Sequence, residues 1–192
     1  MKDYIFDVFN NSPVILISDK KYCINSLTDH VPITQPDFLK QIQKEMSKKI
    51  DFTHVDVLVG EEDRGGYICA LMSVHQGKPF TLTKWNPTNM KGETLIEFKN
   101  LYTHGNLYLN GISEMKNKKV VIIEDIIDTG GTVIAMVDLL RKNSVEVADI
   151  VAVAEKADYG GVSRIERETG IRPKVLVSFI SEEKSTKVIN RF

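Results

Sequence analysis

The stretch Val120-Val-Ile-Ile-Glu-Asp-Ile-Ile-Asp-Thr-Gly-Gly-Thr132 decides the fold of this chain. Its first apolar residues, Val120–Ile123, predict a buried strand, and Asp128–Thr132 are typical of a tight turn that begins a helix. Two adjacent carboxylates, Glu124 and Asp125, follow the strand. Glycines in such a turn let the backbone approach a ligand, and the free N–H groups of the helix start bind anions. The stretch therefore predicts a site for a phosphorylated sugar, although acids that only cap a helix would give a similar pattern.

Strands and helices alternate along the chain on both sides of this stretch. Apolar runs predict strands over residues 54–60, 79–85, 119–125, 146–156 and 174–180, with helices over residues 66–76, 132–142 and 162–169. Buried strands that alternate with helices predict an α/β fold, a parallel sheet flanked by helices on both faces. Ligands of such sheets bind at the carboxyl ends of the strands.

The first fifty residues do not show this alternation of strands and helices. They contain two short apolar runs and then one helical pattern, in which Phe38, Leu39, Ile42 and Met46 recur at three- and four-residue steps. We expect residues 1–50 to form a small N-terminal hood on an α/β core of residues 51–192, the two together making one structural domain.

Composition excludes several classes of protein. The 192 residues carry 25 Lys and Arg against 26 Asp and Glu, a balance that argues against nucleic acid as a partner. No apolar run approaches the length that a bilayer requires, so we expect no membrane partner. The two cysteines have no close spacing, which favours a reducing, cytoplasmic location over a disulfide framework.

A second candidate site follows the strand over residues 54–60. Gly60-Glu-Glu-Asp-Arg64-Gly65-Gly66 places a forked cation between glycines, an arrangement suited to pyrophosphate. Taken alone this pattern is weak, because an arginine beside acids is more often part of a surface ion pair.

The stretch over residues 120–132 resembles the phosphoribosyl pyrophosphate (PRPP) motif of type I phosphoribosyltransferases, and the resemblance extends from His54 to Ile180. It implies an enzyme that transfers phosphoribosyl from PRPP to a base. In that family Glu124 and Asp125 would hold the ribose hydroxyls and a Mg²⁺ cofactor, with Asp128 as a third catalytic residue.

The resemblance also implies which residues bind the phosphate groups of PRPP. The 5′-phosphate would bind to Asp128, Thr129, Gly130, Gly131 and Thr132, and the pyrophosphate to Arg64, Gly65 and Lys84. Residues 86–100 would form a mobile lid.

Within this family the chain resembles the purine enzymes, and this resemblance also implies which residues would bind the base. An aspartate at position 128 would lie beside purine N7, and Lys156 would donate to the exocyclic O6 of a 6-oxopurine. An ammonium group only donates hydrogen bonds, so it would not complement the amino group of adenine. Tyr159 and Phe179 are candidates to stack on the base. The residues alone leave other roles open: Asp128 as a helix cap, Lys156 as a solvated strand end and Phe179 as core packing.

Thr103 occupies the position where adenine phosphoribosyltransferases carry a lid glutamate. Hypoxanthine or guanine is therefore favoured as the substrate, with adenine as the alternative. A PRPP-sensing regulator is an alternative of another class, but residues 1–50 hold seven Lys and six acids and show no basic module. An orotate enzyme is disfavoured by Asp128 and Lys156, and a PRPP synthetase would need two such domains. The resemblance implies a homodimer.

Overall fold

The computed structural model describes residues 2–99 and 104–192. A six-stranded sheet forms its centre, with the strand order β10-β9-β8-β7-β3-β4. The strands are β1 (Val14–Ile17), β2 (Lys20–Cys23), β3 (Val57–Glu61), β4 (Phe80–Thr83), β5 (Thr94–Lys99), β6 (His104–Leu109), β7 (Lys119–Ile127), β8 (Glu146–Lys156), β9 (Lys174–Ser181) and β10 (Thr186–Arg191). Strands β9, β8, β7, β3 and β4 pair in parallel, which confirms the predicted α/β sheet.

Helices cover both faces of this sheet. They are α1 (Tyr4–Phe9), α2 (Pro36–Ser47), α3 (Arg64–Gln76), α4 (Gly131–Lys142) and α5 (Gly161–Thr169), with 3-10 turns at Ile112–Met115 and Ala157–Tyr159. Successive residues of β7 serve opposite cores: Val121 packs with α1, α2 and α3, whereas Val120 and Ile122 pack with α4 and α5. A strand buried on both faces accounts for the uninterrupted apolar run in the sequence.

Four elements lie outside the sequence prediction. Helix α1 precedes the first predicted strand, and β10 adds an antiparallel edge to the parallel sheet. The polar stretch over residues 86–100, interpreted as a lid, contains β5, which pairs with β6 as an antiparallel hairpin. This hairpin contributes Phe98, Leu107 and Leu109 to the core under α4. Thr103, on which the contrast with the adenine enzymes depends, lies outside the described residues.

The N-terminal segment is bound closely to the rest of the molecule. Helices α1 and α2 share a hydrophobic core with the sheet, and the rings of Phe9 and Phe179 stack at 5.3 Å between centroids. Strands β1 and β2 form a hairpin whose Tyr22 and Cys23 reach the pocket at the carboxyl ends of the sheet strands. The N-terminal hood and its boundary at residue 50 stay predictions.

Candidate active site

A pocket of about 420 Å³ opens at the carboxyl ends of β3, β7 and β8. The glycine loop, Asp128–Thr132, forms one end of it and connects β7 to α4. Of the predicted site residues, nine line this pocket: Arg64, Glu124, Asp125, Asp128, Thr129, Gly130, Gly131, Thr132 and Lys156. The other three, Gly65, Lys84 and Tyr159, do not line it. Gly65 follows Arg64 and Lys84 precedes Trp85 in the sequence, and the Tyr159 ring contacts Lys156.

Close packing holds the glycine loop in place. Gly130 adopts a left-handed backbone, with φ of +77°, and a Cβ there would lie 2.7 Å from Ile165 Cγ1. Gly161, the first residue of α5, approaches so closely that a Cβ would lie 2.1 Å from the Asp128 carbonyl oxygen. Arg164 Nη1 donates to the Thr129 carbonyl oxygen at 3.2 Å. The first turn of α5 therefore fixes the loop, leaving the start of α4 facing the pocket.

The two predicted acids lie at the centre of the pocket and are nearly inaccessible. Glu124 is 5% exposed and Asp125 is 7% exposed. Burial, and then the charge of Asp125, raises the pKa of Glu124 well above its ordinary value, and burial also raises the pKa of Asp125. Glu124 Oε2 is buried without a hydrogen-bond partner among the described residues. Such an oxygen is available for a ligand that brings its own positive charge or hydroxyl groups.

A third carboxylate, Glu61, was missed by the sequence analysis. It ends β3, is 5% exposed and lines the same pocket. Burial raises its pKa to about 7, although a hydrogen bond from the Asp63 backbone N–H opposes this shift. The signal was present in the sequence, since Glu61 follows its apolar strand as Glu124 follows the next parallel strand of the sheet.

The acids suit a divalent cation that a substrate helps to bind. Within residues 2–99 and 104–192, no group of three or more His, Cys, Asp and Glu side chains is arranged to hold a metal alone. Mg²⁺ in proteins is usually bound through one or two carboxylates together with water and substrate phosphates. The unpartnered oxygen of Glu124 beside Asp125 fits that kind of site.

Arg64 begins α3 and lies against the β1–β2 hairpin. Its guanidinium is 5.5 Å from the centroid of the Tyr22 ring, and Nε lies 3.7 Å from Asp63 Oδ2. Gly65 packs behind it, where a Cβ would be 3.1 Å from Glu124 Oε1. Any larger residue at position 65 would press on the acid pair. Lys84 does not line the pocket, and its Nζ lies 3.2 Å from Glu62 Oε2.

The opposite end of the pocket is formed by segments distant in sequence. Lys156 ends β8, is only 2% exposed, and its Nζ donates to the Lys21 carbonyl oxygen. The same ammonium lies 4.8 Å from the centroid of the Tyr159 ring. Burial lowers its pKa, an effect that the charge of Asp128 opposes. Lys156 is therefore not a solvated strand end, and Tyr22, Cys23 and Thr28 of the N-terminal segment line the same pocket.

Asp128 is the first residue of the glycine loop, and its carboxyl group is close enough to Lys156 for their charges to interact. Burial raises its pKa to about 6, and the nearby charge of Lys156 limits that shift. Helix α4 has Gly130 at its N-cap and no side-chain capping bond, so the alternative of Asp128 as a helix cap is wrong. Phe179 lines the pocket while it stacks on Phe9, so its ring serves both the pocket wall and the core.

Comparison with known proteins identifies the family of this arrangement. The model of the phosphoribosyl transferase domain matches residues 33–172, which include the acid pair, the glycine loop and Lys156. The chain belongs to the phosphoribosyltransferase family.

Two curated relatives of this phosphoribosyltransferase chain are similar over nearly their whole length. A hypoxanthine/guanine phosphoribosyltransferase of Methanothermus fervidus is 30% identical, over 99% of this chain and 98% of its own. The corresponding protein of Methanotorris igneus is 32% identical, over 95% of this chain and 97% of its own. An adenine phosphoribosyltransferase structure from Thermoanaerobacter pseudethanolicus has the same fold, with a TM-score of 0.76 and 18% identity, over 91% of this chain and 98% of its own.

Proposed function

We propose that this phosphoribosyltransferase transfers the 5-phosphoribosyl group from PRPP to a 6-oxopurine, hypoxanthine or guanine. The products would be a nucleoside 5′-monophosphate and pyrophosphate. The observation that carries the proposal is one pocket lined by the glycine loop and by the buried Lys156, whose charge acts on Asp128 at the start of that loop. The names of the curated relatives support the same choice of base.

The glycine loop would bind the 5′-phosphate. Thr129 and Thr132 supply hydroxyl donors, and the start of the twelve-residue helix α4 supplies free N–H groups with the positive end of its dipole. Because Gly161 and Ile165 already fix the loop, the phosphate would bind to a preformed cradle. A preformed cradle reduces the entropy that must be lost on binding.

Glu124 and Asp125 would bind the ribose hydroxyls and Mg²⁺. When bound, the cation would neutralise charge on the departing pyrophosphate. The unpartnered Glu124 Oε2 supports this role, because a buried acceptor without a donor is costly until a ligand satisfies it. Arg64, Gly65 and Lys84 would hold the pyrophosphate, with Arg64 as the cation that faces the pocket.

At the base end, Lys156 would donate to O6 and Asp128 would accept the proton from the ring at N7. The Lys156 ammonium gives one hydrogen bond to Lys21 and retains further donors. A carboxyl with a pKa of about 6 is suited to accept and release a proton near neutral pH. Phe179 would contact the base from the pocket wall, and Tyr159 would act through its contact with Lys156.

The reaction would be a displacement at C1 of PRPP by a purine ring nitrogen. The C1–nitrogen bond forms as the C1–oxygen bond to pyrophosphate breaks, and positive charge develops on the sugar. Glu124 and Asp125 at the sugar and Arg64 on the leaving group would stabilise those charges, so positioning and electrostatics supply the catalysis. A lid over residues 86–100 would exclude water.

We further propose a cytoplasmic homodimer. Cys23 and Cys69 are both free and buried, as expected for a reducing compartment. Leu16 on β1 and Ile33 in the following segment are 69% and 76% exposed, apolar surface of the kind that subunit contacts cover. No helix among the described residues has the length and hydropathy to cross a membrane.

The experiment that tests this function is product analysis. Purified protein with PRPP, MgCl₂ and hypoxanthine should release inosine 5′-monophosphate and pyrophosphate in equal amounts, and omission of any one component should stop both. Absence of nucleotide from all purine bases, together with a nucleic-acid gel shift that responds to PRPP, would favour the PRPP-sensing regulator instead.

A further inference from the structure

Glu61 has no part in the chemistry described so far, although it is buried in the pocket. Its Oε1 accepts two hydrogen bonds. One comes from the backbone N–H of Asp63 at 2.7 Å, and the other comes from the indole Nε1 of Trp85. Asp63 immediately precedes Arg64, whereas Trp85 immediately follows Lys84. The carboxylate therefore connects the two loops that carry the proposed pyrophosphate-binding cations.

The neighbouring glutamate, Glu62, also connects these two loops. Strands β3 and β4 are parallel neighbours, with Glu61 opposite Thr83. The Glu62 N–H donates to the Thr83 carbonyl oxygen at 2.9 Å, and the Trp85 N–H donates to Glu62 Oε1 at 2.7 Å. Glu62 Oε2 also pairs with Lys84 Nζ at 3.2 Å. The bond from the Trp85 indole to Glu61 differs from these bonds, because both of its residues line the pocket.

Trp85 is the single tryptophan of the chain, and its ring has a second contact. The edge of Phe98 on β5 packs against it, with 4.8 Å between ring centroids and an angle of 66° between planes. The indole is thus fixed on one side by a buried carboxylate and on the other by the β5–β6 hairpin. A side chain held in this way determines where the segment after β4 can lie.

We propose that Glu61 and Trp85 are positioning residues for the pyrophosphate half of PRPP. By holding the two strand ends together, they fix the spacing between the loops that carry Arg64 and Lys84 before the polyanion binds, and Lys84 would exchange its ion pair with Glu62 for the ligand. Two cations on independent loops would each have to be ordered by the ligand, at a cost in affinity that the bridge removes. This inference rests on the proposed function and adds two residues outside the family-based assignment.

The test is a pair of binding measurements by calorimetry in the presence of MgCl₂. One ligand is inorganic pyrophosphate, and the other is inosine 5′-monophosphate, which under the proposed function would bind to the glycine loop and Lys156 and not to the bridge. Glu61→Ala removes the acceptor, and Trp85→Phe removes the indole donor while keeping an aromatic edge for Phe98. Each should weaken pyrophosphate binding about tenfold and change nucleotide binding less than twofold. Glu61→Gln keeps an acceptor oxygen and should restore pyrophosphate affinity to within threefold of wild type.

Thr83→Val is the matched control. Thr83 is fully buried between the same two strands, and its hydroxyl contacts Gly60 at 3.3 Å without touching the bridge. It should leave both affinities unchanged. Unchanged pyrophosphate binding in Trp85→Phe, or equal weakening of both ligands in the bridge variants, would overturn the inference even if Glu61→Ala failed to fold. A wild-type protein that binds neither ligand would contradict the proposed function itself.

Discussion

The two ends of the pocket are built in opposite ways. The glycine loop comes from one run of sequence, residues 128–132, and is fixed by close packing on α5 that leaves no room for a Cβ at Gly130 or Gly161. The base end is assembled from β8, β9 and the β1–β2 hairpin, and is held by side chains such as Lys156 on the Lys21 carbonyl oxygen. A contiguous site held by such close packing tolerates little change, whereas an assembled site can alter its specificity through single side chains.

The acid pair between the two ends should give the largest effect. Asp125→Asn removes a buried charge from the sugar and metal site without creating a cavity, so kcat/KM should fall by roughly a hundredfold to a thousandfold. Thermal unfolding should show that the fold is intact. Asp138→Asn, the same change on the exposed face of α4, is the control and should retain full activity. Near-normal turnover by a folded Asp125→Asn protein would remove the acid pair from the mechanism.

A substitution in α5, outside the pocket, should displace the glycine loop. Gly161→Ala would place a methyl group 2.1 Å from the Asp128 carbonyl oxygen, so the loop or α5 must move. Overpacking of this kind costs about 1–3 kcal/mol, and we expect inosine 5′-monophosphate to bind roughly tenfold more weakly.

Gly160→Ala is the comparison for that variant. A Cβ at Gly160 meets open space, but its φ of +63° is strained for alanine, so this change tests backbone strain without a clash. It should lower the melting temperature while leaving nucleotide affinity near wild type. If both alanine variants bind nucleotide equally well, the contact between α5 and the glycine loop does not set phosphate affinity.

A pH profile sharpens the account of the base end. Asp128 must be ionised to accept a proton, so kcat/KM for the base should fall about tenfold per unit as the pH drops below about 6. Lys156→Gln removes the charge that lowers the pKa of Asp128, so the acid limb should move to higher pH. Residual activity in Asp128→Asn should lack that limb. An acid limb that is identical in all three proteins would belong to the substrates.

The sequence was sufficient for the parallel sheet, because strands buried on both faces carry a continuous apolar signal. It was also sufficient for the glycine loop and the acid pair, whose residues are contiguous. It did not reveal Trp85 or Thr28, since their place in the pocket depends on which loops meet in space. The strand β5 was missed because it is short and lies within the polar stretch over residues 86–100, and one of its three apolar residues, Leu95, is exposed.

The central claim is that this pocket selects a 6-oxopurine, and the ranking of three bases tests it most directly. With saturating PRPP and MgCl₂, kcat/KM for hypoxanthine and for guanine should each exceed that for adenine by about tenfold, because a buried lysine donor has no acceptor on adenine at that position. Lys156→Gln should narrow the gap, chiefly by slowing the 6-oxopurines. A wild-type enzyme that prefers adenine tenfold would contradict the assignment of Lys156 and Asp128 to the base.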